Sequence, residues 1–387
     1  MKKKVVIFGA GQIGRGFIGD ICAREGYFLV FVDVLADTVQ RLNQERFYPL
    51  WILGEGKEEK KITGLKAVLL TEQTRVVEEL ADVSLAFTAV GASNLPSLGT
   101  VLAEAIQKKV GRQPDSFLNI IICENLLGSS EVLKKAIEPH LTPEGKTYLN
   151  DRVGLVETVV SRMVAPFTEE SRKIHPLLVK VEPYCILPVA RPSFKGEIPA
   201  IKALHPVENL LPYEELKLFG HNLTHAALAY LGWLEKLNFI WQAMENSRIL
   251  KVVEGVRQEA SQALIRQHHF PSSEVENYFH DLFHRFQNRL LGDTVSRVGR
   301  DPWRKLGPKE RIVGAINLCL RHGIFPDAIC LVAAACLCYN EPGDTQAALV
   351  QSLLKERGLD FFLSEHCQLT HEGVRNRIKA AYEEMKP

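Results

Sequence analysis

A short apolar run, Val5-Val6-Ile7-Phe8, leads directly into Gly9-Ala10-Gly11-Gln12-Ile13-Gly14, a G-x-G-x-x-G pattern. A buried strand that turns at once into a helix needs glycine at three places: where the chain reverses, where a ligand presses on the backbone, and where helix meets strand. Gly9 suits the tight turn, Gly11 the close approach of a pyrophosphate, and Gly14 the packing of helix on strand. A helix opening here aims unpaired N–H groups and the positive end of its dipole at phosphate. The chain is therefore expected to begin with a βαβ unit.

Asp33 follows Gly14 by nineteen positions and closes the apolar run 28–32, where the second strand of such a unit ends. A carboxylate there accepts the ribose hydroxyls of an adenosine and repels a 2′-phosphate, so the expected cofactor is NAD rather than NADP. In an open α/β sheet, ligands bind outside the carboxyl ends of the strands. Two more segments qualify. Thr88-Ala89-Val90-Gly91-Ala92-Ser93-Asn94 follows one strand and could pass under the nicotinamide ribose, and Cys123-Glu124-Asn125 ends another. The expected cofactor contacts are Gly9, Ala10, Gly11, Gln12, Ile13, Gly14, Asp33, Thr88, Val90 and Gly91.

Up to about residue 190, apolar runs alternate with helical stretches. Runs 5–8, 28–32, 83–90 and 118–123 have the continuous character of strands buried on both faces, and alternation of this kind implies a parallel sheet with crossover helices. Runs 153–160 and 177–187 read as later strands, added to the sheet or packed on its edge. Segment 188–199, PVARPSFKGEIP, is dense in proline and glycine, and the pattern beyond it is helical: 214–237, 247–267, 274–288, 308–321, 345–357 and 373–384. Ser273 and Glu276 stand at capping-box spacing. The expected fold is α/β, with a Rossmann-type doubly wound domain over 1–194 and a mainly α-helical domain over 195–387.

Composition narrows the partners. With 47 basic and 46 acidic side chains, the chain lacks the basic surplus of a nucleic-acid binder. The most apolar stretch, 328–339, reads as a buried helix, because a membrane span requires about 20 residues. Lys2, Lys3 and Lys4 superficially resemble the start of a signal peptide, but the apolar run after them breaks at glycines, so the cytoplasm is expected. The eight cysteines show no C-x-x-C spacing and are expected to be reduced core residues, with no metal site.

Four segments carry a family resemblance: 8–19 (FGAGQIGRGFIG), the Cys123-Glu124-Asn125 triplet, 217–225 (KLFGHNLTH) and 297–302 (RVGRDP). Over essentially its whole length the chain resembles the polyol-specific long-chain dehydrogenases, the mannitol dehydrogenase family. The selective motif is K-x4-N-x2-H, met by Lys217, Asn222 and His225. At about 100° per residue, an α-helix stacks Lys217, His221 and His225 on one face and leaves Asn222 within a neighbouring arc of under half a turn. Oxidising a secondary alcohol needs a base for the hydroxyl proton and polar groups for the developing alkoxide. A desolvated lysine can serve as that base, and the resemblance implies this role for Lys217. It further implies that Asn125 and Asn222 donate amide hydrogen bonds to the substrate oxygen and that His225 orients a neighbouring hydroxyl. His221 shares the face without matching a motif position.

Arg297, Arg300, Arg304 and Lys305 form a basic cluster suited to a phosphate, and Arg15 is a further candidate for a cofactor or substrate phosphate. The resemblance, with a glycine motif placed as in the mannitol-phosphate members, implies hydride transfer between NAD and a small-molecule sugar or polyol phosphate: D-mannitol 1-phosphate and D-fructose 6-phosphate. A monomer or homodimer is expected. The rivals are a dehydrogenase of free mannitol, arabinitol or a hexuronate, and a non-catalytic NAD-binding sensor. The intact Asn125, Lys217, Asn222 and His225 set speaks against the sensor.

Overall fold

The computed structural model describes residues 3–386, so Lys2 of the basic run lies outside the described residues. Its contacts divide the chain into two units, the first ending at Leu210 and the second starting at Leu211.

The first unit is built on a six-stranded sheet. Its strands are β1 (Lys4–Phe8), β2 (Phe28–Asp33), β5 (Leu65–Leu69), β6 (Leu85–Thr88), β7 (Leu118–Ile122) and β8 (Val153–Glu157). The order is β5-β2-β1-β6-β7-β8, and every pairing is parallel. Val5, Ile7, Leu29, Phe31, Leu85 and Phe87 face one apolar layer, while Val6, Phe8, Val30, Val32 and Ala86 face the other. Burial on both faces is why these strands read as unbroken apolar runs. The chain reverses direction across the sheet at β1 and β6, the crevice where doubly wound sheets take ligands.

Between β2 and β5 the chain makes an excursion that the sequence reading missed. Here β3 (Phe47–Leu53) pairs antiparallel with β4 (Lys57–Thr63), and β9 (Val179–Val181) pairs parallel with β3. The β4 sequence KEEKKIT is mostly solvated and carries no apolar signal. Run 177–187 therefore does not extend the main sheet. Its start supplies β9, and its end opens β10 (Leu187–Ala190).

The sequence reading ended the first domain at 194, whereas the contact boundary falls at Leu210. The reason is β11 (Leu204–Val207), which pairs in parallel with β10 and ties residues beyond the proline-rich segment back to the first unit. A buried ion network also holds the helix after the glycine loop. Arg162 Nη1 donates to Asp20 Oδ2 at 2.7 Å and to the Gly16 carbonyl at 3.0 Å, and Arg24 Nη2 reaches the same carboxylate at 2.6 Å.

The second unit is helical, with long helices at Leu223–Leu234, Ser247–His268, Ser272–Phe286, Asp327–Cys338, Thr345–Phe361 and Glu372–Met385. Asp327–Cys338 is apolar around nearly its whole circumference and is buried, as an all-round apolar helix must be. Among the described residues, no helix is long and apolar enough to cross a membrane. The cysteines are all free, and all but Cys185 are buried.

Two local expectations change. The Ser273/Glu276 capping box is absent: the helix already runs from Ser272, so Ser273 lies inside it, and Pro271 at the cap offers no side-chain bond. The stretch expected as one α-helix over 214–237 is instead Leu211–Glu215, a π-helical segment Leu216–Asn222, and then Leu223–Leu234.

Candidate active site

At the end of β1 the glycines do what the motif requires. Gly9 has φ +93, a conformation that a side chain disfavours. A Cβ on Gly14 would run into the carbonyl oxygen of Gly9, so strand and helix meet only because it is missing. Gly11 is exposed and has nothing near its missing Cβ, which leaves open backbone at the mouth of the loop. Ala10 is buried and Ile13 half-buried, and Gln12 Oε1 is buried without a hydrogen-bond partner among the described residues. The helix that follows starts as a π segment, Gly14–Gly19, a winding that is rare and concentrates at functional sites.

Asp33 stands at the end of β2 as expected and is bound to the loop itself. Its Oδ2 accepts the Ala10 N–H at 2.6 Å, and Oδ1 accepts the Leu35 N–H at 2.9 Å. The carboxylate thus fixes the glycine loop. Open backbone at Gly11, an unpartnered Gln12 oxygen and a carboxylate at the end of β2 together fit a dinucleotide.

The segment after β6 is corrected in part. Thr88 is wholly buried, and the N–H groups of Val90 and Gly91 are taken by Glu124, at 2.8 Å to Oε1 and 2.9 Å to Oε2. The loop therefore does not offer the Thr88 hydroxyl or these two amides to a cofactor. Glu124, buried in the middle of the C-E-N triplet, is the structural residue that the sequence reading passed over. Asn125, next to it, is exposed. Arg15 is corrected outright: it is buried, with Nε donating to the Ala10 carbonyl at 2.6 Å and Nη1 bonded to the Leu177 carbonyl.

In the second unit, the K-x4-N motif lies within the π segment Leu216–Asn222. A turn that closes from i to i+5 swings Asn222, five residues after Lys217, towards the lysine's side, from which α-helical winding would turn it away. His225 follows on the α-helix, three residues beyond Asn222. Lys217 and Asn222 are half-buried. The Lys217 amine is pushed down to about 8, first by burial and then by the charge of Arg311, against a smaller opposing pull from Glu214. His221 is buried and held well below the ordinary histidine range, first by burial and then by the surrounding basic side chains Arg285, His225, Lys217 and Arg311. It is a neutral packing partner, edge-on to Phe286 at 5.4 Å.

His225 is held on two sides. Its ring stacks on Phe286 at 4.7 Å, and Nε2 lies 2.8 Å from Asp293 Oδ2. Burial alone would raise the Asp293 carboxyl, but His225 and Arg297 outweigh it and hold the group below the usual range. An ionised carboxylate only accepts, so Nε2 donates to Asp293 and Nδ1 is the ring nitrogen left for another partner.

The basic cluster divides. Arg297 is engaged with Asp293, its Nε at 3.0 Å. Arg304 bridges Asp301 at 2.7 Å and Glu310 at 2.9 Å. Lys305 is buried, its amine donating to the carbonyls of Val298, at 2.5 Å, and Arg300, and burial with Arg311 nearby pushes it down to about 7. Arg300 is exposed.

An amine that loses its proton near neutrality can serve as a base for a hydroxyl, and the first unit carries a glycine loop that fits a dinucleotide. By class, the protein is an oxidoreductase. Residues 3–203 match the model of the mannitol dehydrogenase Rossmann domain, and residues 209–386 that of the mannitol dehydrogenase C-terminal domain. A mannitol-1-phosphate 5-dehydrogenase of Anoxybacillus flavithermus is 36% identical over 366 residues, covering 94% of this chain and 95% of that one. The enzyme of the same name from Bacillus subtilis is 35% identical over 367 residues, covering 94% and 95%. Among solved structures, Pseudomonas fluorescens mannitol 2-dehydrogenase in ternary complex with NAD and D-mannitol shares the fold with a TM-score of 0.76 at 17% identity, over 100% of this chain and 91% of that one. A substrate-free D-sorbitol dehydrogenase gives a TM-score of 0.79 at 16% identity, over 99% and 93%. The chain belongs to the mannitol dehydrogenase family, with both domains present.

Proposed function

We propose that this enzyme interconverts D-mannitol 1-phosphate and D-fructose 6-phosphate with NAD. The observation that carries the reading is Lys217, a half-buried lysine lowered to about 8 and set in the K-x4-N-x2-H motif. Gly9, Ala10, Gly11, Gln12, Ile13, Gly14 and Asp33 hold the dinucleotide, which when bound accepts hydride in one direction and supplies it in the other. In oxidation, neutral Lys217 removes the hydroxyl proton; in reduction, its ammonium form returns a proton to the ketose oxygen. Asn125 and Asn222 donate amide hydrogen bonds to that oxygen as charge builds on it. His225, with its Nε2 proton held by Asp293, presents Nδ1 to a neighbouring hydroxyl. The reacting carbon is C2 of the ketose and C5 of the polyol counted from its phosphorylated end.

The phosphorylated substrate is supported by the name that the A. flavithermus and B. subtilis relatives carry and by the cations between Arg297 and Arg311. Eight unpaired thiols suit the reducing cytoplasm. The enzyme acts there as a monomer or homodimer. The test is NADH oxidation, followed by its absorbance, with fructose 6-phosphate and fructose at matched concentrations. A strong preference for the ester is expected; comparable rates would transfer the reading to a free polyol.

A further inference from the structure

We propose that Arg311, outside the basic cluster visible in the sequence, is the anchor for the substrate's phosphate. The inference rests on the phosphorylated substrate proposed above and names the residue that recognises it.

The cations of the 297–305 cluster are mostly committed elsewhere. Arg297 is held by Asp293, which also holds His225, so using it as an anchor would disturb the histidine. Arg304 is neutralised from both sides by Asp301 and Glu310. Lys305 spends its donors on two backbone carbonyls. Arg300 is exposed, and its charge acts on Tyr339 rather than on Lys217.

Arg311 is less fully engaged. Its side chain is only 16% exposed, and its one carboxylate neighbour is Glu310, at 3.4 Å from Nε and already shared with Arg304. Nη1 and Nη2 make no hydrogen bond among the described residues, yet neither is sealed from solvent. The charge of Arg311 acts on both Lys217 and Lys305, so a guanidinium and two desolvated amines share one neighbourhood, with Glu310, Glu214 and Asp301 only partly offsetting them. Such a cluster is costly by itself and becomes favourable when an anion enters. The two terminal N–H groups of a guanidinium match the oxygens of a phosphate as a fork.

The fold holds Arg311 in that place. It lies on the turn before helix Val313–Arg321, where the Gly314 N–H donates to the Glu310 carbonyl at 2.6 Å. A Cβ on Gly314 would come within 2.8 Å of Phe219 Cε1, so the missing side chain lets this turn press against the π segment between Lys217 and His221. In a hexitol phosphate the reacting carbon is four carbons from the phosphorylated one. The anchor must therefore stand off from the base without leaving its neighbourhood, and the charge of Arg311 reaches Lys217.

The test uses the full-length enzyme and its variants Arg311→Met, Arg311→Lys and Arg300→Ala, with inorganic phosphate as the probe. Wild type should favour fructose 6-phosphate over fructose and be inhibited competitively by phosphate. Arg311→Met should raise KM for fructose 6-phosphate about 10- to 100-fold, the loss expected for hydrogen bonds to a charged group, with a smaller change in kcat. Phosphate inhibition should weaken in parallel, and Arg311→Lys should recover part of both. The proposal is overturned if Arg311→Met leaves KM and phosphate inhibition at wild-type values, if it lowers kcat alike for ester and free sugar, or if Arg300→Ala produces the predicted losses in its place. Should Arg311→Met fail to fold, unchanged phosphate inhibition in Arg311→Lys would equally overturn it. A wild type indifferent to the phosphate ester would remove the underlying reading, a result visible before any variant is made.

Discussion

His225 Nε2 and Asp293 Oδ2 lie 2.8 Å apart, and the same carboxylate binds Arg297. The aspartate thus couples the motif histidine to the basic segment, and it fixes which imidazole nitrogen is engaged and which is left free of it. Asp293→Asn should leave the fold intact but no longer enforce that choice. A fall in kcat/KM of about 10- to 100-fold is expected, the value of one charge-assisted hydrogen bond. Steady-state kinetics beside an unchanged melting curve would check this, and undiminished activity would show the pair to be structural only.

With Lys217 as the proposed base, the pH profile should follow its amine. Burial and Arg311 lower its amine to about 8, against the pull of Glu214. Alcohol oxidation needs the neutral amine, so kcat/KM in that direction should rise with pH to a plateau above about 8. Ketose reduction needs the ammonium form and should fall through the same range. Lys217→Ala should cost roughly 100- to 10,000-fold in turnover, with NADH still quenching or shifting the protein fluorescence as in wild type. A profile that is flat between pH 6 and about 10 would remove Lys217 from the role.

Asp33 holds the Ala10 amide, and its proposed second task is to exclude a 2′-phosphate. Asp33→Ala is expected to weaken NADH binding about tenfold or more, and to narrow the gap between NADH and NADPH. Titration calorimetry with each cofactor measures both effects.

Stability of the first unit depends on Asp20. It and Arg162 are fully buried, with no exposed side-chain surface on either. Removing one member of such a pair leaves the other charge buried and uncompensated, at a cost of about 3–5 kcal/mol. Asp20→Ala should therefore lower the melting temperature of the first unit markedly, whereas Asp37→Ala, which breaks the exposed pair with Arg41, should change it little. Equal effects of the two would contradict this account.

Much of the first unit was legible because its signals are local. Strands buried on both faces must be apolar throughout, and the glycine turn must follow the first of them, so β1, β2, β6 and β7 and the positions of Gly9, Gly14 and Asp33 could be read directly. Strand β4 could not, because an exposed edge made of lysine and glutamate resembles a charged loop until β3 is placed beside it. Glu124 looked like one member of a triplet, and only the approach of the β6 end shows its carboxylate closing on two amides. The winding at Lys217 was equally hidden, since residue types alone do not distinguish π from α turns.

By itself, then, the sequence determined the parallel sheet, the glycine loop, the acid at the end of the second strand, the helical second half and the motif Lys217, Asn222 and His225. All of these depend on spacing along the chain. Tertiary structure alone decided which charges are spent and which remain available. It paired Asp293 with His225, buried Arg15 and Lys305 against carbonyls, and left the Arg311 terminal nitrogens without a hydrogen bond among the described residues. The physical reason is that the chemistry of a charged group depends on its distance from other charges and from water, and for residues far apart in the chain only folding sets those distances.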